Sequence, residues 1–160
     1  VTALQLGDAD LRSAVDVVVR PPGTQPMRLL SVHLKSGCSA GDRNEACAVF
    51  FRQVPVLERW IDARAAEGMR FAVLGDFNRR LALPGDVAWA DWDDADPADA
   101  DLARAAGDRN AQCNPRYRDF IDHIVLDRRA TADLERFDEL TYADGAPHLS
   151  DHCPISATLR

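Results

Sequence analysis

The sequence predicts one α/β layered domain over residues 1–160. Short apolar segments typical of strands are separated by a long segment with helical spacing, and several of these strands end in polar clusters. The length of 160 residues suits a single domain with its own core. Apolar residues make up 46% and charged residues 28%, which argues against a fibrous or wholly disordered chain. No apolar run approaches the length that crosses a bilayer.

The first two predicted strands cover residues 14–20 and 27–35. The first is apolar and β-branched and is followed by Pro21-Pro22-Gly23, a strong turn signal. The second is mostly apolar, as expected of a strand that is covered on both faces. We therefore expect the two strands to form a hairpin.

A helix is predicted over residues 44–67, where apolar residues recur at helical spacing and Gly68 provides a stop. Pro55 lies inside this segment and predicts a kink or a split into two helices. Residues 70–74 then predict a short buried strand that runs into Gly75 and Asp76.

The second half is acidic and rich in turns from residue 81 to 115, with one short helix predicted near residues 102–106. Strands are predicted at residues 120–126 and 154–159, the last with Ile155, Ala157 and Leu159 facing inward. The acidic run at residues 91–101 lacks the glycine and the closing glutamate of an EF-hand calcium loop, so we interpret it as a solvated loop.

The net charge of −7 argues against tight, non-specific binding to duplex nucleic acid. A local basic patch can still contact a nucleic acid. Its candidate members are Arg79, Arg80, Arg116 and Arg118.

Four cysteines allow three complete pairings, and the sequence does not choose among them. Cys38 and Cys47 are the most plausible pair because they flank a short polar loop, while free buried thiols stay an equal alternative. Cys153, at the start of an apolar strand, is interpreted as a small core residue. A Cys38–Cys47 bridge would favour a secreted or periplasmic protein, and free thiols would favour the cytoplasm.

Two polar clusters follow predicted strands in the first half. His33 lies in an apolar strand, and such a histidine taken alone is more often structural than catalytic. Asp76 and Asn78 are two residues apart, so in an extended chain they face the same side. Their oxygen and amide groups suit a hard cation and a phosphate oxygen, although a simple Asx-turn is the alternative.

Two further clusters lie in the second half. Asp122 falls within an apolar strand, where a carboxylate needs a cation or hydrogen-bond donors, and His123 points to the opposite face. Asp151 and His152 precede the last strand, which is a weak signal by itself. All four clusters together supply the groups needed for metal-assisted hydrolysis of a phosphate ester.

The order of these motifs resembles the endonuclease/exonuclease/phosphatase superfamily, which includes deoxyribonuclease I, apurinic endonucleases, sphingomyelinases and inositol-polyphosphate 5-phosphatases. The motifs are His-Leu-Lys-Ser at residues 33–36, Gly-Asp-Phe-Asn at 75–78, Ile-Asp-His-Ile at 121–124 and Ser-Asp-His-Cys-Pro at 150–154. The resemblance covers residues 14–160. It implies the deoxyribonuclease I-like two-sheet α/β sandwich, of which this chain would be the C-terminal part. The family's earlier strand with an Asn and a metal-binding Glu has no counterpart before residue 14.

The resemblance also implies roles. His152 would be the general base and Asp122 its partner, while Asp76 and Asp151 would belong to a metal site for Mg²⁺, with Mn²⁺ or Ca²⁺ as substitutes. Donors to the phosphate oxygens would be His33 and Asn78, with Arg79 as a further substrate contact.

The implied activity is that of a phosphodiesterase or nuclease, with phosphomonoesterase and lipid phosphodiesterase as variants. The alternative is a non-catalytic fragment or pseudoenzyme that acts as a binding module. Because the metal-binding Glu is absent, we expect little or no activity from these 160 residues without the N-terminal part.

Overall fold

The computed structural model describes residues 1–97, 100–142 and 150–160. Its centre is a mixed five-stranded sheet of strand order β1-β2-β3-β5-β4, and β6 and β7 form a separate two-stranded sheet. No helix among the described residues is long and apolar enough to cross a membrane. The strands are β1 (Val15–Val19), β2 (Met27–His33), β3 (Arg70–Asp76), β4 (Leu102–Arg104), β5 (Asp122–Asp127), β6 (Leu134–Glu139) and β7 (Ile155–Leu159).

The predicted hairpin is confirmed: β1 pairs with β2 in antiparallel orientation. β1 lies at the edge of the sheet and exposes a row of valines, Val15, Val17 and Val19.

The long predicted helix is confirmed as α1 (Glu45–Ala66), which connects the parallel strands β2 and β3. The side-chain oxygen of Asn44 caps it by accepting the N–H of Cys47 at 2.7 Å. Of the two outcomes predicted at Pro55, a kink or a split, the split does not occur, because the helix continues through that residue. Pro55 lies on the exposed side of the helix.

The helix predicted near residues 102–106 is wrong. Leu102–Arg104 forms β4 instead, because the edge of β5 offers this segment a backbone partner, and sheet pairing outweighs its weak local preference. The only α-helix between β3 and β4 in the described residues is α2 (Val87–Trp92). Asp86 caps it by accepting the N–H of Trp89 at 3.0 Å.

Two elements after β5 were not predicted. The short helix α3 (Arg128–Ala132) is capped by Asp127, and β6 pairs with β7 in antiparallel orientation. The predicted last strand is confirmed as β7. β6 was not predicted because it is mostly charged and has few apolar residues, so it lacks the apolar pattern of a strand.

The core has two parts. The larger part lies between α1 and one face of the five-stranded sheet, and the smaller part joins the other face to α3 and β6. Its principal side chains are Phe50, Leu57, Ile61, Leu30, Phe71 and Val73 in the larger part, and Ala72, Phe120, Leu126 and Phe137 in the smaller part.

Candidate active site

Three sequence-predicted site residues meet at one edge of the sheet. His33 ends β2, Asp76 ends β3, and Asp122 begins β5. Because β2 and β3 are parallel and β5 is antiparallel to β3, these ends coincide: His33 pairs with Asp76, and Asp76 pairs with Asp122. Directly paired residues present their side chains on the same face of a sheet. β5 begins two residues later than predicted, so Asp122 lies at the strand's start and not in its middle.

Asn78 holds the carboxylate of Asp76 from two sides. Its backbone N–H donates to Oδ1 of Asp76 at 2.7 Å, and its side-chain amide donates to Oδ2 at 3.0 Å. The same amide donates to the carbonyl of Leu34 at 3.1 Å, which ties the turn to the end of β2. Asn78 has a φ of 52°, a left-handed conformation that Asn tolerates better than most residues. The Asx-turn therefore exists, and it fixes the predicted site carboxylate.

Gly75 permits the close approach of β2 and β3 beside the site. Its φ is 131°, and a Cβ atom at this position would lie 2.1 Å from the carbonyl oxygen of Val32. Only glycine fits here without moving the backbone. His33 thereby comes to lie with its Nε2 atom 3.7 Å from Oδ2 of Asp76.

His152 and Asp122 form a hydrogen-bonded pair. Nδ1 of His152 lies 2.6 Å from Oδ2 of Asp122. This hydrogen bond raises the pKa of the His152 imidazole above its ordinary value. Burial raises the pKa of the Asp122 carboxyl, and the bond to His152 opposes that effect. The histidine ring is partly exposed, so water can reach its other nitrogen.

His123 lies on the opposite face of β5 from this pair, as its position in the strand predicts. It is buried, with Nε2 2.8 Å from the carbonyl oxygen of Arg79 and its ring edge-to-face with Phe77. Burial lowers the pKa of His123 to about 4, which keeps it neutral. It supports the turn that follows β3.

The structure does not bring Arg79 to the site, so the expectation of a substrate contact is wrong for this residue. Its side chain is only 2% exposed and forms an ion pair with Asp86 at 2.7 Å. It also donates to the carbonyl oxygens of Cys38 and Gly41. A guanidinium that is enclosed in this way and already bound to these partners is not placed to contact a ligand. The neighbouring Arg80 is partly exposed and stays accessible.

The ligand-type atoms of Asp76, Asp122 and His152 lie within 4.8 Å of one another. The carboxylate oxygens of Asp76 and Asp122 are donors of the type that a hard divalent cation prefers, so they fit the implied metal, whereas the imidazole of His152 is engaged with Asp122. Asp151 is exposed beside this group but is not a member of it. A second cluster with Cys113, Glu139 and Cys153 has no free thiolate, because its two cysteines are bonded to each other.

The Cys38–Cys47 bridge is confirmed. Cys153 is buried, as its interpretation as a core residue implies, but it is also disulfide-bonded, which the sequence did not indicate. Cys153 forms a disulfide with Cys113, 40 residues earlier. This bridge fixes the residue next to His152 to the loop that precedes β5. The one sequence feature that could have indicated this disulfide is the position of Cys113 in a polar turn, which is an unusual place for a cysteine.

No known family's model matches the sequence, and no curated protein sequence matches it either. Solved structures do match the fold. The 3′ phosphatase NExo from Neisseria, bound to a product DNA hairpin, aligns with a TM-score of 0.70 at 16% identity, over 97% of this chain and 67% of that chain. The catalytic domain of Xenopus laevis APE2 aligns with a TM-score of 0.53 at 18% identity, over 91% of this chain and 54% of that chain.

Sphingomyelinase C from Streptomyces griseocarneus aligns with a TM-score of 0.50 at 19% identity, over 92% of this chain and 57% of that chain. At these identities the likeness concerns the fold, which is the α/β fold of deoxyribonuclease I-like proteins. The three matched proteins are thus named as a 3′ phosphatase, the catalytic domain of APE2 and a sphingomyelinase C.

Proposed function

We propose that this protein is a metal-dependent phosphoesterase that cleaves phosphodiesters, as a phosphodiesterase or nuclease, through water activated by a histidine. The observation that carries the proposal is the His152–Asp122 pair at 2.6 Å, located at the same sheet edge as Asp76 and His33. The fold shared with phosphoesterases agrees with it.

In this proposal His152 is the general base. Asp122 engages Nδ1, so Nε2 is the nitrogen that accepts a proton from the attacking water. The Asp122 carboxylate orients the ring and stabilises the imidazolium that forms. The raised pKa of His152 makes it a stronger base, provided that the working pH keeps it neutral.

His33 and Asn78 contact the non-bridging phosphate oxygens, on which negative charge grows in the transition state. The His33 side chain is 53% exposed and is therefore accessible to substrate. The side-chain amide of Asn78 donates hydrogen bonds to Asp76 and to the carbonyl of Leu34. When substrate binds, the amide therefore has to give up its hydrogen bond to Asp76 to donate one to the phosphate.

Asp76 and Asp151 would hold the metal, for which Mg²⁺ is the first candidate and Mn²⁺ or Ca²⁺ are substitutes. When bound, such an ion neutralises charge on the phosphate. The glutamate that completes the family's metal site has no counterpart here, and we propose that an N-terminal part of the same domain supplies it. Two disulfides favour an oxidising compartment, secreted or periplasmic.

The test is an assay of the full-length protein with Mg²⁺ on plasmid DNA, a chromogenic phosphodiester and a phosphomonoester. We expect His152→Ala to lose activity by at least about 100-fold, as expected for removal of a general base. Val87→Ala, at an exposed site on α2, is the control. Equal activity of His152→Ala and the wild type would refute the mechanism. Phosphate binding without any turnover would identify a binding module instead.

A further inference from the structure

We propose that the cavity beside His152 binds the ester group of the substrate and selects a nucleobase-sized aromatic ring, with Tyr117 as the stacking residue. This inference rests on the proposed function and adds the class of substrate, a nucleoside phosphate ester whose base is unpaired.

The cavity opens directly at the hydrogen-bonded pair. It measures about 260 Å³, and both Asp122 and His152 line it. A phosphate held beside His152 would therefore direct one of its ester groups into this space. The volume is just below the range of about 300–1,000 Å³ that is typical of small-molecule sites, so it suits one ring and excludes a base pair.

One wall of the cavity presents an aromatic ring. Tyr117 is 59% exposed although it lines the cavity. Its position is fixed by a tight turn, in which its N–H donates to the carbonyl of Asn114 at 2.9 Å. The apolar surface continues through Phe120 and Ile155. A flat ring could stack on Tyr117 while it contacts these side chains, at little cost in conformational entropy.

Four carboxylates line the cavity, those of Asp119, Asp122, Glu139 and Asp151. Each of three carboxylates already has a partner. Asp122 binds His152, Glu139 accepts the backbone N–H groups of residues 112 and 113, and Asp119 lies 3.8 Å from Arg80. Asp151, the fourth, is assigned to the metal. A quaternary ammonium group such as choline is the competing ligand, because the aromatic ring and the carboxylates would both attract it. The affinity for phosphocholine decides between the two ligands.

A polar side chain that lines the cavity can hydrogen-bond to the edge of a nucleobase. Arg80 carries a guanidinium that is about one-third exposed, and it can donate to a ring carbonyl. Arg116 and Arg118 are the chain neighbours of Tyr117 and are both exposed, but neither lines the cavity.

The experiment measures dissociation constants of the full-length protein, with Mg²⁺, for thymidine 5′-monophosphate, inorganic phosphate and phosphocholine. We expect the nucleotide to bind more tightly than the other two ligands. Tyr117→Ala should weaken nucleotide binding by about 5- to 100-fold, the effect of losing one base–aromatic stack, and leave phosphate binding unchanged. Tyr117→Phe keeps the ring and should retain nucleotide binding.

Three results would overturn the proposal: equal affinity for nucleotide and phosphate, tighter binding of phosphocholine, or a Tyr117→Ala variant that loses both ligands equally. Circular dichroism of the variant excludes misfolding as the cause. Failure of the proposed function has a different signature, namely normal turnover by His152→Ala. Rates on a dinucleotide and on a single-stranded oligonucleotide then distinguish small nucleotides from polymer ends, either of which supports the proposal.

Discussion

The Nδ1 atom of His152 lies 2.6 Å from Oδ2 of Asp122, although 30 residues separate them in the chain. The raised pKa of His152 comes mainly from this contact. A histidine base must be neutral, so activity should fall as the pH drops through this raised pKa.

Asp122→Asn removes the charge that stabilises the imidazolium. We expect kcat/KM to fall by about 100- to 10,000-fold, the range for a disabled general base. The pKa of His152 should decrease, so the acid limb of the kcat/KM–pH profile should move to lower pH. A profile of kcat/KM against pH for both proteins measures both effects. An acid limb at the same pH in both proteins would show that another group controls it.

Glu58→Gln should change the pH dependence of stability. Glu58 and Asp62 each have a buried carboxylate oxygen without a hydrogen-bond partner. Burial, followed by the charges of Asp62, Asp91 and Asp94, raises the pKa of Glu58 to about 8 from its ordinary 4.5. Between these two values the folded state binds more protons than the unfolded state, so stability is lost as pH rises.

We therefore expect the Tm of the wild type to fall from pH 5 to pH 8.5 by more than that of Glu58→Gln. Glu135→Gln, at a more exposed glutamate on β6, is the matched control and should behave as the wild type does. Parallel curves for Glu58→Gln and the wild type would contradict the assignment.

Gly75→Ala should disrupt the sheet edge that carries the site. The new Cβ atom would lie 2.1 Å from the carbonyl of Val32, in a backbone conformation that L residues rarely adopt. We expect a loss of roughly 3 kcal/mol or more in the free energy of unfolding, together with a large loss of activity.

Gly107→Ala is the matched control for this substitution. Gly107 also has a positive φ, of 57°, but its Cβ atom would meet open space, so a cost of about 1 kcal/mol is expected. Urea denaturation compares the two variants. Equal costs would mean that the contact with β2 contributes nothing.

Arg79→Ala should destabilise the protein without changing its affinity for substrate. It leaves the Asp86 carboxylate buried without its partner, a defect that costs about 3–5 kcal/mol. Arg79→Met together with Asp86→Leu removes both charges and should recover part of the loss. Urea denaturation gives the free energies, and KM below the melting range tests substrate binding. A raised KM with unchanged stability would restore the original expectation of a substrate contact.

Removal of either disulfide should lower the stability, but only one of the two removals should lower the activity. Loss of Cys113–Cys153, through Cys113→Ser with Cys153→Ser, should cost roughly 4 kcal/mol from loop entropy, and loss of Cys38–Cys47 roughly 2.5 kcal/mol. Only the first pair holds the segment that carries His152, so only its loss should lower kcat at temperatures where both variants are folded. Steady-state kinetics on folded samples checks this. Equal kcat values in the two variants would assign Cys113–Cys153 a purely structural role.

Most of the residues at this sheet edge could be predicted from the sequence, because the polar side chains concerned lie where apolar strands end. His33, Asp76 and Asn78 follow this pattern, and strand pairing then brings them to Asp122. Local sequence patterns gave wrong predictions where the conformation of a segment depends on residues that are distant in the chain. The segment Leu102–Arg104 is a strand only because β5 lies beside it.

Arg79 illustrates the same limit at the level of a side chain. We expected it to contact substrate as a member of a local basic patch, but its environment depends on residues that lie far away in the sequence. The Cys113–Cys153 pairing was equally hard to predict, because the two cysteines are 40 residues apart in the chain.

The surroundings of Arg79 have a consequence for how the molecule folds. Its guanidinium is satisfied by the loop at residues 38–41, by Asp86 before α2, and by the rings of Phe50 and Phe51 on α1. A state that buries this positive charge before all three segments are in place lacks part of its compensation. Partly assembled states are therefore penalised, and this region should open and close as one cooperative unit, with its amide protons exchanging together in native-state hydrogen exchange.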